Sequence, residues 1–416
     1  MKQYVPEYYN EFKCIAGACR HTCCAGWEID IDKYTMAEWH QMDEPLRSFI
    51  LDKVCFPDDC STDVSAGNLA DHSADVEAGQ PVAGQPFLKL AEDDRCAFLN
   101  NEGLCEMILR CGEDTLCQIC TDHPRFRNFY SDRIEMGAGL SCEAAAELIV
   151  SWQGNFRLTK TDQQLPKACL ADVKEILDDL SHMTEAELQD LRQNEADVFQ
   201  LRDMLIGILE DRTLDIDSRI DEVLSCCDIT MPDLDTSQWA DALLSLDRLD
   251  AQWTHTLEEL REASFAASCT VSNGNTLSCS DTLSGEDLPS NCETQFAGSL
   301  PCGSSPSDDG ELPDSGSCFA SSSPAWLLDP AWQKAFENLM VYFLYRHMPE
   351  SLTDFDVITK ISFAALSCRL LRDICLMHEK KYGSISLHNL AEYARMYSSE
   401  IEYSLSNLGK VYDMLF

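Results

Sequence analysis

Nine cysteines packed into two short stretches of the first third of the chain set the terms on which it can fold. The first stretch, C-I-A-G-A-C-R-H-T-C-C-A-G-W, carries Cys14, Cys19, Cys23 and Cys24. The second runs through C-A-F-L-N-N-E-G-L-C, L-C-Q-I-C-T-D-H-P-R and G-L-S-C-E and carries Cys96, Cys105, Cys117, Cys120 and Cys142. Thiols bunched this tightly are either paired as disulfides or held by a metal. The alternatives lead to different proteins, and the rest of the chain helps to choose between them.

Met1 to Tyr9 is polar and aromatic, without an apolar stretch before a small-residue cleavage site, and no run of about 18 apolar residues occurs. The expectation is a cytoplasmic protein with no membrane span, whose thiols stay reduced. That favours metal over disulfides. The net charge of −41, from 72 acidic against 31 basic residues, repels nucleic acid and anionic lipid and excludes both as general partners. It attracts a basic substrate such as a lysine side chain, although solubility or salt adaptation accounts for it equally well.

At 416 residues the chain has ample length for a core. The reading is a mainly α fold: an N-terminal cysteine-rich metal-binding domain of irregular structure over 1–165, with a loop insertion at 54–88, then a helical domain in two parts, 166–262 and 326–416. Between those parts, 263–325 is rich in Ser, Gly, Pro and Cys, and cannot offset its own ordering entropy, so it reads as a disordered insert. Thr184 and Glu187 predict a capping box ahead of a long amphipathic helix. A second helix is expected over 238–262, with Leu243, Leu246, Leu249, Trp253, Leu257 and Leu260 on one face. The run A-W-Q-K-A-F-E-N-L-M-V-Y-F-L-Y-R-H-M is aromatic on nearly all sides and predicts a central buried helix.

Soft thiolates select zinc, copper(I) or iron–sulfur clusters over hard cations. Cys117 and Cys120 form a C-x2-C clip suited to zinc or to a cluster. Cys14, Cys19 and Cys23 form C-x4-C-x3-C with Cys24 adjacent. Neighbouring side chains diverge, so Cys23 and Cys24 serve different ions, or one of them packs against a site the other completes. Nine thiols exceed what one site needs; two sites, or one cluster with spare thiols, both fit, and the plain alternative is a set of buried apolar cysteines. The radical S-adenosylmethionine pattern C-x3-C-x2-C starts at Cys19 and Cys23 but meets Gly26 at the third position. Walker A, H-E-x-x-H and G-x-G-x-x-G patterns are absent. His21 and His123 lie inside the cysteine groups as possible ligands or hydrogen-bond donors. Arg125 is placed to neutralise a cluster or hold a carboxylate, and Glu113 and Glu143 to steer a substrate amine; ordinary surface roles compete in each case. No catalytic residue is assigned.

At these motifs the sequence resembles the flagellin lysine-N-methylase family. The resemblance rests on Y-Y-N-E-F-K-C-I-A-G-A-C-R-H-T-C-C-A-G-W-E-I-D-I-D, C-A-F-L-N-N-E-G-L-C-E-M-I, G-E-D-T-L-C-Q-I-C-T-D-H-P-R and G-L-S-C-E-A-A-A-E-L, and on the C-terminal E-N-L-M-V-Y-F-L-Y-R-H and Y-S-S-E-I-E-Y-S-L-S-N-L. It spans about 1–54, 87–262 and 326–416. The cysteine framework alone is similar to a broader zinc- or iron-chelating group. The resemblance implies methyl transfer from S-adenosylmethionine to lysines of flagellin, with an iron–sulfur cluster, [4Fe-4S] in type, or zinc as the alternative, on the nine cysteines. Trp27, Tyr130 and Trp152 then become possible lining for a sulfonium or a lysine head by cation–π attraction. Two other readings compete: a non-catalytic zinc- or iron-binding or redox-sensing module, and a zinc scaffold for an adaptor.

Overall fold

In a computed structural model the structure describes residues 1–26, 29–56, 86–91, 94–272 and 324–416, without the side chains of 167–168 and 265–272. Most of the loop insertion expected at 54–88, most of the insert expected at 263–325, and Trp27 lie outside the described residues.

The chain opens with strand β1 (Lys2–Pro6), followed by helices α1 (Lys33–Gln41) and α2 (Leu46–Leu51) and the short pair β2 (Val54–Cys55) and β3 (Phe87–Leu88). Short helices α3 (Glu106–Cys111) and α4 (Gln118–Asp122) follow, each begun by a cysteine at its N-cap, Cys105 and Cys117. Strands β4 (Arg125–Phe129) and β5 (Arg133–Ala138), helix α5 (Glu143–Ser151) and strand β6 (Leu158–Thr161) complete this half. Helices α6 (Lys167–His182), α7 (Glu185–Leu209), α8 (Ile216–Cys226), α9 (Thr236–Leu244) and α10 (Ala251–Ser272) come next. The C-terminal part holds α11 (Pro330–His347), α12 (Ser351–Asp354), α13 (Val357–Tyr382), α14 (Leu387–Tyr397), a π-helical turn at Ser398–Glu402, and α15 (Leu405–Asp413).

The mainly helical class expected from sequence holds. The irregular N-terminal region is corrected in one respect: it contributes a four-stranded sheet of order β4-β5-β1-β6. β5 lies parallel to β1 and antiparallel to β4, and β6 is antiparallel to β1. Along β5, Ile134, Met136 and Ala138 enter the main core, while the equally buried Glu135 on the other face is neutralised by Arg202 of α7 at 2.6 and 3.2 Å. Gly137 faces Phe126 across the ladder, where a side chain would collide with the ring.

Two apolar cores result. The larger joins β1, β5 and α5 to the helices, and α11 runs through it with Phe336, Leu339, Met340, Phe343 and Leu344 fully buried, as its all-round aromatic pattern requires. Asp329 caps α11 and Pro330 sits in its first turn, where its missing amide proton costs nothing. The smaller core holds Ile29, Ile31, Trp39, Ile50, Val54, Leu88, Phe98 and Met107, together with Cys96 and Cys117.

The capping box at Thr184 and Glu187 forms as expected and starts α7. The single helix expected over 238–262 is instead two, α9 and α10. The break exposes Leu249, and the amides of Leu249 and Asp250 turn to the Glu400 carboxylate at 2.7–3.2 Å rather than to the helical ladder. A tertiary partner outcompetes local propensity there.

Candidate metal centre at the seam of the two cores

None of the nine cysteines forms a disulfide. They gather as two sets rather than one. The outer set comprises exposed Cys14 and Cys23 and half-buried Cys19 and Cys142. Cys142 caps α5, and the amides of Ala145 and Ala144 favour its thiolate against the burial that pushes the thiol up. The Cys19 thiol donates to the His21 carbonyl at 3.3 Å and lies 3.6 Å from Glu143 Oε2. Burial, then the charges of Glu143 and Cys142, push it up to about 11. Cys23 is raised chiefly by its hydrogen bond to Cys24, with Cys14 and Cys142 adding charge.

The inner set comprises buried Cys96 and Cys117 and half-buried Cys24, Cys105 and Cys120, all packed on the small core. The Cys96 amide donates to the Cys24 carbonyl at 2.8 Å, and Cys117 Sγ and Cys120 Sγ are 3.4 Å apart. Trp39 Nε1 donates to the Thr115 carbonyl at 2.8 Å, and the Gln118 amide to Asp32 Oδ2 at 2.9 Å, so α1 holds the C-x2-C turn. The hydrogen bond from Cys23, with help from Thr22 and Arg95, brings Cys24 down to about 7. Burial raises Cys96 to about 11, and the hydrogen bond with Cys117 raises Cys120.

The two cysteine stretches touch at glycines. Gly103, with φ of +72°, turns the Cys96–Cys105 loop so that it lies against Gly17, whose Cα would be 3.4 Å from a Cβ at Gly103. Among the described residues no three Cys, His, Asp or Glu side chains already converge on one metal position. The donor chemistry nevertheless suits a soft metal. A tetrahedral site with bonds of about 2.3 Å holds its sulfurs about 3.8 Å apart, close to the Cys117–Cys120 separation.

Charged residues bind the outer set to the C-terminal helices. Arg20 grips Glu143 through Nε at 2.9 Å and through its backbone amide at 2.9 Å. Against the burial that would raise it, Arg20 holds Glu143 below the usual carboxylate range. His21 Nε2 lies 2.9 Å from Glu392 Oε1 of α14, and Arg20 Nη2 is 3.6 Å from the other oxygen. Burial and Arg395 pull His21 down despite that carboxylate. Glu147 of α5 pairs with His388 at the start of α14. On the opposite side, the Leu140 amide donates to the Tyr342 hydroxyl at 3.1 Å, and Tyr403 donates to the Pro124 carbonyl at 3.3 Å. The helix bearing Cys142 is thus seated between α11 and α14.

Of the other residues singled out from sequence, the His123 ring lies 5.8 Å from Tyr403. Arg125 donates to the Thr121 carbonyl at 3.1 Å and covers Phe12, one turn from the clip. Glu113 is exposed on a turn after α3. Tyr130 is buried against Phe199 of α7. Trp152 ends α5 and lines a shallow cleft with Tyr8, Phe156 and Arg157. The length of α5, about 14 Å at 1.5 Å per residue, separates that cleft from Cys142. Glu392 carried no local signal, since only the tertiary fold brings it to the loop that bears the thiols.

Residues 328–416, which supply those contacts, match the FliB lysine N-methylase C-terminal domain. The chain is 24% identical over 147 residues to the lysine-N-methylases of Salmonella typhimurium and Salmonella choleraesuis, covering 35% of this chain and 32% of each relative. It is 21% identical over 147 residues to the flagellar biosynthetic protein FliU of Salmonella muenchen, covering 35% of this chain and 75% of that protein. The match therefore spans about a third of the length of the lysine-N-methylases. No solved structure matches. The C-terminal helices that meet the thiol loops are thus similar to the FliB lysine N-methylase C-terminal domain.

Proposed function

We propose that this protein is a cytoplasmic protein-lysine N-methyltransferase that moves a methyl group from S-adenosylmethionine to the ε-amine of flagellin lysines, with a thiolate-held iron–sulfur centre. One observation carries the reading. Glu392, inside the segment that matches a lysine-N-methylase domain, is paired with His21 between the outer cysteines, which supports reading domain and thiols as parts of one site.

In the reaction the lysine ε-ammonium first gives its proton to solvent water. The amine lone pair then forms the new C–N bond as the C–S bond breaks, and S-adenosylhomocysteine leaves with that electron pair. Alignment and exclusion of water supply most of the acceleration in such a transfer. Glu143, against Cys19, and Glu392, against His21, put carboxylates beside the outer loop, which suits a cationic sulfonium or lysine head. Arg20 fixes both of them and spares Glu143 from protonation. A cluster on the outer thiolates would supply a redox-active, negatively charged centre beside those groups. The seat between α11 and α14 holds Cys142 in position.

The test is transfer of labelled methyl from S-adenosylmethionine to unmodified flagellin, prepared from a host that lacks this protein. Metal-replete enzyme is expected to label lysine. Absence of label, with the metal load intact, overturns the proposal.

A further inference from the structure

We infer that the nine thiols serve two separate centres: an outer one from Cys14, Cys19, Cys23 and Cys142, and an inner tetrathiolate site for a single zinc ion, drawn from Cys24, Cys96, Cys105, Cys117 and Cys120. This rests on the reading that the thiols bind metal, and it adds a second site with a different occupant and a structural role.

Three observations carry it. The inner five pack on the small core, whereas Cys142 packs on the large one and caps a helix belonging to it. The Cys24 carbonyl is held by the Cys96 amide at 2.8 Å. That bond ties Cys24 to the inner stretch, while the Cys19–Glu143 contact at 3.6 Å ties the preceding loop to α5. The third is the sulfur spacing. Two thiolates on one tetrahedral ion stand about 3.8 Å apart. Two thiolates on a cubane cluster each bind a different iron and stand farther apart. Cys117 and Cys120, hydrogen-bonded at 3.4 Å, need open only slightly to share one ion but much farther to reach two corners of a cube.

The surroundings assign the roles. The inner site is walled by Trp39, Ile31, Phe98 and Met107, and its turn is pinned by Asp32. Closed four-thiolate sites in such settings are structural. The outer site keeps two exposed cysteines and faces the carboxylates and Arg20. A four-coordinate ion leaves one inner thiol over.

The experiment uses the full chain purified anaerobically, with zinc, iron and sulfide measured alongside the visible spectrum. Wild type is expected to hold about one zinc besides its iron and sulfide. Cys120→Ser should lose the zinc and keep the visible iron–sulfur absorption; Cys14→Ser should do the reverse. Co2+ added alone to metal-free wild type, without sulfide, should give the intense absorption of a tetrahedral thiolate, and this readout survives even if Cys120→Ser does not fold. One equivalent of iron and no zinc at the inner site would overturn the assignment of zinc. Loss of both metals together in either folded variant, or failure of Co2+ to bind, overturns the inference. Methyl transfer by a protein that holds only a cluster would sink this inference and leave the methyltransferase reading standing. Two metals without methyl transfer would do the opposite.

Discussion

A methyl group added at Gly17 would stand 2.7 Å from the Glu102 carbonyl oxygen, where the two cysteine stretches lie together. The partner is backbone and cannot swing away. Gly17→Ala should therefore cost about 1–3 kcal/mol by overpacking and should expose the Cys19 loop. A lower melting midpoint together with faster thiol alkylation is the expected pair of readings; an unchanged midpoint would mean that the loops do not touch in solution. Glu392→Gln keeps the shape of α14 but removes the charge facing His21 and Arg20. Its bonds to Arg20, His21 and the buried Arg395 weaken with that charge; at about 1.5 kcal/mol per charge-assisted bond the melting midpoint should fall, and methyl transfer should fall with it. Equal activity would place the seam outside the reaction. The gathering of the cysteines could be read from sequence because it rests on local spacing. Glu392 could not, because nothing around it differs from an ordinary helix carboxylate until α14 is laid against the thiol loop.

Elements differed in legibility for a similar reason. The capping box of α7 and the buried aromatic run of α11 declare themselves within a few turns. The sheet does not: β1 and β6 are short, lack clean alternation, and pair residue 3 with residue 161. The gap between α9 and α10 was also hidden, because its leucines keep a helical period while the Glu400 carboxylate takes the amides that would have continued the ladder. Glu400→Ala removes that acceptor and should cost about 1–2 kcal/mol, as loss of a helix cap does, read as a lower urea midpoint. An unchanged midpoint would show that water replaces it freely.

Between α11 and the π-helical turn, His347 is buried with Nε2 at 2.7 Å from Glu402 and Nδ1 at 3.4 Å from Glu350. Burial alone would lower it, but the hydrogen bonds to Glu350 and Glu402 outweigh that and raise it. A raised histidine stabilises the fold fully below its unfolded value of about 6.5. That contribution is lost as pH climbs through the folded value. The urea midpoint should accordingly fall as pH rises from 6 toward 9, and His347→Gln should flatten the slope. The same slope in both proteins would remove His347 as its cause.

At the scale of the whole molecule, the net charge of −41 surrounds a site whose proposed substrate carries an ammonium group. Attraction of that kind acts over about 8 Å at physiological salt and is screened beyond it. KM for flagellin should rise with ionic strength while kcat stays level; an unchanged KM would reduce the acidity to a solubility device. Among the described residues no helix is long and apolar enough to cross a membrane. The division into two apolar cores was not legible from composition, because both draw on the same residue types and only the tertiary contacts separate them.

The seat of the thiol loop on α14 also has a chronology. Cys14, Cys19 and Cys23 leave the ribosome early and Cys142 much later, but Glu392 emerges later still. Until then the Arg20–His21 loop has no C-terminal helix to rest on. The inner cysteines, complete by residue 120, are ready long before. Maturation of the proposed outer centre would therefore wait for α14, and a chain released before it would carry the proposed inner site without the outer one.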